Sequence, residues 1–234
     1  MSLAPYLSVV VPCFDERENV ESLHAEIVRA LGGVNGGFEL IYVDDGSRDG
    51  TGERLAKIAA EDALARVITF PENRGQTAAL DAGFRAARGE LIATLDGDGQ
   101  NDPADLPRLI AALTSADVVN GVRADRKDGA LRRLSSRIGN GFRNWATGDR
   151  VSDVGCSLRV MRAVYVKRVK LFRGMHRFLP TLLRMEGARV VELPVSHRPR
   201  RAGRSKYGIA NRLFVGIADV LAVRWMLKRR LPRD

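Results

Sequence analysis

Cysteine is nearly absent from this chain: Cys13 and Cys156 are the only two in 234 residues. Two thiols so far apart build neither a disulfide framework nor a zinc cluster, and they point to a reducing, cytoplasmic setting. The first residues show no signal-peptide pattern. No G-x-G-x-x-G and no G-x-x-x-x-G-K-[ST] occurs, which removes the dinucleotide fingerprint and the P-loop. In the C-terminal segment the longest uncharged run, residues 213–218, falls far short of the roughly 20 apolar residues that span a bilayer. Aromatics do not interleave with the basic residues, so a nucleic-acid-binding module is the weakest reading and no nucleic-acid partner is expected. Composition is otherwise that of a soluble globular protein, long enough for one domain with a substantial core.

Charge is plentiful but badly divided. Residues 1–122 carry 10 Lys/Arg against 20 Asp/Glu, and residues 123–234 carry 28 against 8, within a net charge of +10. An acidic half suited to a cation is followed by a half suited to an anion: nucleic acid, a phospholipid surface or a phosphorylated substrate.

Short apolar runs alternate with helical patterns. Strands are expected at 7–12 (LSVVVP), 38–43 (FELIYV), 65–70 (ARVITF) and 91–95 (LIATL), with helices ending near Leu31, over 51–62 and over 73–87. Four such alternations with short links predict an open α/β sheet whose ligands bind at the carboxyl ends of the strands. Further on, the pattern predicts a short strand at 117–120, a loop at 121–129, a basic helix over 131–146 and a strand over 153–162. A helix over 176–185 and a strand over 188–195 follow. Residues 197–208 (HRPRRAGRSKYG) read as a loop with five Arg/Lys that can clamp phosphates. The final segment, 209–230, reads as an amphipathic helix lying in a membrane interface or against a partner, with packing on the core as the plainer alternative.

The polar clusters fall at strand ends. Asp96 and Asp98, spaced i, i+2 in DGDGQ, can point to one side, and Gln100 can add an amide oxygen. That all-oxygen set suits Mg²⁺ or Mn²⁺. Gly97 and Gly99 let a phosphorylated ligand approach the backbone. Phe14 can pack on a base, and Asp45 can accept from a base N–H or a ribose hydroxyl. Asp102 reads as a helix N-cap with Pro103 after it. The plain alternative for both DDGSRDGT and DGDGQ is a turn with a helix cap.

Taken together, VPCFDEREN, VDDGSRDGT, NRGQTAALDAGFRAARGE, LDGDGQNDP and RRAGRSKYG resemble, in order and spacing, the family 2 glycosyltransferases. More narrowly the chain is similar to the polyprenyl-phosphate glycosyltransferases typified by dolichol-phosphate mannose synthase. The resemblance runs from about Leu7 to Tyr207. It departs in the first motif, where Phe14 stands for the usual Tyr and Asp15 for the usual Asn. It implies a GT-A fold: a mixed, mostly parallel, Rossmann-like sheet flanked by helices, over 1–207. Within it, 1–122 is the nucleotide-binding half and 123–207 the acceptor side, and an amphipathic helix follows over 208–234.

The resemblance also implies roles. Pro12, Phe14, Glu16, Val43 and Asp45, with Asp96, Gly97, Asp98, Ser205 and Lys206, would bind the nucleotide-sugar. Asp96, Asp98 and Gln100 would hold Mg²⁺ or Mn²⁺. Arg123, Arg132, Arg133, Asp153 and Arg200 would serve the acceptor phosphate, with Asp96, Asp98, Arg123 and Arg200 carrying catalysis. The implied reaction is inverting transfer from a GDP- or UDP-sugar to a polyprenyl phosphate, at the cytoplasmic membrane face, with a small membrane protein or a second copy as further partners. The acceptor is already an anion, so no general base is required. A hydroxyl acceptor in polysaccharide synthesis is the rival, and it would call on Asp153 as base.

Overall fold

The computed structural model describes residues 4–124, 139, 141–199 and 211–230, with backbone alone for 211–215. In chain order the elements are β1 (Leu7–Cys13), α1 (Val20–Leu31), β2 (Phe38–Asp44), α2 (Thr51–Glu61), β3 (Ala65–Thr69), α3 (Gln76–Ala86) and β4 (Leu91–Thr94). Then come α4 (Leu106–Ala111), β5 (Val118–Arg123), α5 (141–147), β6 (Arg159–Arg162), α6 (Ala163–Val166), α7 (Leu179–Met185), β7 (Val190–Val195) and α8 (Asn211–Arg229). The strands form one seven-stranded sheet in the order β3-β2-β1-β4-β6-β5-β7. β6 is antiparallel to both neighbours, and every other pairing is parallel.

Burial on both faces explains the uninterrupted apolar strands. Alternate residues of β1, β2 and β4 (Leu7, Val9, Val11; Leu40, Tyr42; Leu91, Ala93) pack under α1, α2 and α4, against Leu23, Ile27, Leu55 and Leu109. The residues between them (Val10, Ile41, Val43, Ile92) pack under α3, α6 and α7, against Leu80, Phe84, Val166 and Leu183. A third cluster joins Ala146 of α5 and Leu182 of α7 to Val220 and Val223 of α8. α8 therefore packs on the body of the protein through one side and leaves Ile217, Leu221 and Trp225 exposed on another. Among the described residues no helix is long and apolar enough to cross a membrane.

At the edge where β1 and β2 begin, Glu39 is buried. Its carboxylate accepts from Ser8 Oγ at 2.7 Å, from the Arg88 backbone N–H at 2.8 Å and from Arg88 Nε at 3.0 Å, and it pairs with Arg66 Nε at 3.4 Å.

Several expected boundaries change. α3 begins at Gln76, not Asn73, because Gly75 at φ 90° breaks the chain before it and residues 73–75 donate to Asp45. The strand expected at 153–162 is only Arg159–Arg162, because residues 153–157 turn around a buried ion pair described below. β5 runs on through Arg123, three residues into the segment expected to be loop. Of the expected basic helix, 141–147 is helical, and residues 131–138 lie outside the described set.

Candidate active site

Because β1, β2, β3, β4, β5 and β7 run one way and β6 the other, the ends of six strands and the start of β6 share one edge. The turn after β4 comes down close on β1: a Cβ on Gly97 would lie 3.0 Å from Cys13 Sγ and 3.1 Å from the Pro12 carbonyl. The Asp45 N–H donates to the Cys13 carbonyl at 2.8 Å. The three expected polar clusters are thus brought together. The buried Cys13 thiol registers their field: burial, then the charges of Glu16, Asp44 and Asp96, push its pKa well up.

The loop after β1 is stitched to the loop after β2. Asp15 N–H donates to Ser47 Oγ at 2.9 Å, Arg48 N–H to Asp15 Oδ1 at 2.9 Å, and Glu16 N–H to Thr51 Oγ1 at 2.8 Å. Asp15 sits at φ 50°, the left-handed region that Asn and Asp tolerate best among residues with a side chain. That gives a backbone reason for either residue at this place in the first motif. Glu16 is buried and accepts from Asn19 Nδ2 at 2.6 Å.

Asp45 and Val43 are placed differently from expectation. Asp45 takes N–H donors from Asn73 Nδ2 (3.0 Å), Arg74 (2.7 Å) and Gly75 (2.9 Å), filling three of about four acceptor directions. Its first job is therefore to shape the turn leading into α3. Val43 is fully buried under α3, so it supports the crevice from below rather than lining it.

Asp96 is the electrostatic centre. Gln76 Nε2 donates to its Oδ1 at 2.8 Å, and its N–H donates to Asn101 Oδ1 at 3.3 Å. Ser157 Oγ donates to the same Asn101 oxygen at 2.7 Å. Burial, and next the charge of Asp98, push the Asp96 carboxyl up to about 6, although Ser157 and Arg159 pull the other way. The Asp98 charge raises the cost of ionising Asp96, and a divalent cation between them would remove that cost. The donor set of Asp96, Asp98 and the Gln100 amide is all hard oxygen and fits Mg²⁺ or Mn²⁺. Among the described residues no three His, Cys, Asp or Glu side chains gather in metal-holding geometry, so phosphate oxygens and water would complete the shell.

On the other side of the edge, Arg123 at the end of β5 forms a two-pronged pair with Asp153: Nε to Oδ2 at 2.7 Å and Nη2 to Oδ1 at 2.8 Å. Asp153 also accepts from the backbone N–H of Arg123 and of Gly155, and its side chain is 4% exposed. Gly155 leaves room for this pair: a Cβ there would lie 2.5 Å from Arg123 Nη2 and displace the guanidinium. Arg132, Arg133, Arg200, Ser205 and Lys206 lie outside the described residues.

The sequence reading missed several residues here. Arg159 opens β6 and is buried, with Nε donating to Asn120 Oδ1 at 2.6 Å. A lone Arg between Leu158 and Val160 was the available signal. His176 Nδ1 pairs with Thr77 Oγ1 at 2.7 Å. Burial, then Arg177 and Arg159, hold its pKa down to about 3, so its ring is neutral at pH 7. Gln76 stood inside a quoted motif without a role.

The family model "Glycosyl transferase family 2" matches residues 8–169. The dodecaprenyl-phosphate galacturonate synthase of Rhizobium johnstonii is 42% identical over 95% of this chain and 67% of its own length. The undecaprenyl-phosphate 4-deoxy-4-formamido-L-arabinose transferase of Edwardsiella ictaluri is 38% identical over 87% of this chain and 63% of its own. The match thus spans about two thirds of these curated relatives. The fold is shared with the glucosyl-3-phosphoglycerate synthase of Mycobacterium tuberculosis solved with Mn²⁺ and UDP-glucose: TM-score 0.68, 20% identity, 98% of this chain and 81% of that one. It is shared also with a mannosyltransferase from Pyrobaculum calidifontis solved with GDP-mannose and Mn²⁺: TM-score 0.66, 19% identity, 98% and 66%. The expected GT-A fold is borne out.

Proposed function

Because this chain belongs to glycosyl transferase family 2, we propose that it moves a sugar from a nucleoside diphosphate to a polyprenyl phosphate, inverting the anomeric carbon. Both curated relatives named above carry a polyprenyl phosphate in their names. The observation that carries the choice of acceptor is the state of Asp153. A hydroxyl acceptor needs a base with a lone pair to offer. Asp153 is instead a counter-ion, spent on the Arg123 fork and two backbone N–H groups. A phosphate monoester is anionic near neutral pH and needs no base.

In this reading a divalent cation on Asp96 and Asp98, with Gln100 beside them, supplies positive charge against the departing nucleoside diphosphate. Gln76 and Asn101 keep Asp96 in place. Arg123, with Arg132, Arg133 and Arg200, draws the acceptor phosphate toward an equally anionic donor. A phosphate oxygen forms the new bond to the anomeric carbon while the bond to the diphosphate breaks, and no proton moves. Ser205 and Lys206 belong to the donor diphosphate. Phe14, beside Glu16 and Pro12, serves the base.

The protein would work lying on a membrane. Trp145 of α5 and Trp225 of α8 are 72% and 63% exposed, beside exposed Phe142 and Leu221. Arg224 bridges the two helices, stacking on Trp145 at 5.3 Å and donating to the Ala146 carbonyl at 2.9 Å. Lys228, Arg229 and Arg230 follow, as suits an apolar face among anionic headgroups. A small membrane protein or a second copy are the rival occupants of this face. Replacing both tryptophans by Ser should abolish co-flotation with anionic vesicles while transfer to a short, detergent-free acceptor stays within about twofold.

The decisive assay offers radiolabelled UDP- and GDP-sugars, uronates included, with Mg²⁺ or Mn²⁺ and a short polyprenyl phosphate. A lipid-linked, inverted product is expected from one donor. Product on a free sugar hydroxyl, with none on the lipid phosphate, would overturn the reading.

A further inference from the structure

Where β7 ends, the chain crosses the far side of the DGDGQ turn and is fastened to it. Ser196 N–H donates to Asp105 Oδ2 at 2.7 Å, and Asn101 and His197 pair as an isolated antiparallel bridge. Arg198 N–H donates to the Gln100 carbonyl at 2.8 Å, and Gln100 Nε2 returns a bond to the Arg198 carbonyl at 3.4 Å. The Arg198 guanidinium then spans two carboxylates, Nη1 on Glu26 of α1 at 2.6 Å and Nη2 on Asp102 at 2.5 Å. Asp102 meanwhile uses its other oxygen to cap the Ala104 N–H at 3.0 Å. One side chain thus joins α1, the residues just after Asp98, and the strand exit that leads to residues 200–206.

From this we infer that Arg198 is a positioning residue for the cation- and diphosphate-binding turn: it holds Gln100 and Asp102 so that Asp98 faces Asp96. The inference rests on the metal reading above. The Arg198 guanidinium acts through Glu26 and Asp102, the carboxylates it pairs with. The turn needs an external hold because two of its five residues are glycine, one of them at φ 69°. Its Asp96 end is held by Gln76 and Asn101, and the Arg198 contacts hold the other. A stability role explains the arrangement less well. All three charged side chains are part-exposed, and such pairs add little to folding, whereas a fork on two carboxylates, beside a backbone bond to the Gln100 carbonyl, fixes geometry.

The test measures Mn²⁺ binding by electron paramagnetic resonance, without substrates, alongside kcat and the KM for donor. Arg198→Ala should weaken Mn²⁺ binding about 10-fold and lower kcat by a similar factor, with thermal unfolding nearly unchanged. Arg198→Lys should restore part of the affinity. Asp102→Asn keeps the cap and loses the ion pair, so its effect should not add to that of Arg198→Ala in a double-mutant cycle. Wild-type Mn²⁺ affinity in Arg198→Ala overturns the inference, as does additivity in the cycle. If the wild type binds Mn²⁺ but transfers no sugar to polyprenyl phosphate, the function reading fails and this one stands.

Discussion

Two carboxylates stand at opposite edges of one sheet, Glu39 buried and Asp96 part-buried, and they behave in opposite ways. Burial alone would raise both. For Glu39 that effect is outweighed by the Ser8 hydroxyl, the Arg88 N–H and guanidinium, and Arg66, and its pKa ends below the ordinary value. For Asp96 burial is reinforced by Asp98, and its carboxyl ends at about 6. The first carboxylate is satisfied by the protein and belongs to the fold. The second has the like charge of Asp98 beside it, a cost that the proposed cation would relieve. The more deeply buried carboxylate is the one whose pKa is lowered, so the company each keeps decides the direction.

That contrast can be broken at either end. The largest effect should come from Asp98→Ala, or Asp96→Ala: transfer falls by on the order of 10³-fold or more, with an unaltered circular dichroism spectrum. Normal turnover in either variant would end the metal assignment. Next, Glu39→Gln should cost about 2–4 kcal/mol of stability in urea unfolding, since it breaks a buried charge network. The kcat per folded molecule should stay as in the wild type. Turnover lost in step with Asp98→Ala would mean that the two edges are not separate in function.

The smallest effect concerns pH. A carboxyl whose folded pKa lies above its unfolded one costs nothing well below pH 4, and destabilises progressively as pH rises through about 6. Without divalent cation, Asp96→Asn should therefore be more stable than the wild type at pH 7–8, by on the order of 1 kcal/mol, and equal to it near pH 3. Glu39 has the opposite sign, because its pKa is lowered. Its contribution is present above the ordinary carboxylate range and fades as pH falls through that range. Adding Mn²⁺ should raise the unfolding temperature of the wild type but not of Asp96→Asn.

Much of the first half of the chain was legible in the sequence, for a physical reason. β1, β2 and β4 are buried on both faces, so they had to be short apolar runs, and their polar ends could sit only at the sheet edge. The site's acidic turn announced itself through two aspartates separated by glycine. What stayed hidden depends on pairing across long distances. Glu39 begins an apolar run and reads as a surface residue until Ser8, Arg66 and Arg88 are brought to it. Asp45 reads as a ligand contact, and its three donors come from a turn some thirty residues away. The direction of β6 leaves no trace in hydropathy, and so the buried Arg159 went unread.

The reversed strand has a last consequence. β5 ends at Arg123 and β6 begins at Arg159, both at the edge that carries Asp96, so the connection between them starts and finishes there. Doubling such a detour costs only about 0.6 kcal/mol in chain entropy. If that edge binds donor and acceptor as proposed, this connection can be exchanged for one of different length, to suit another acceptor, without disturbing β1, β2 and β4.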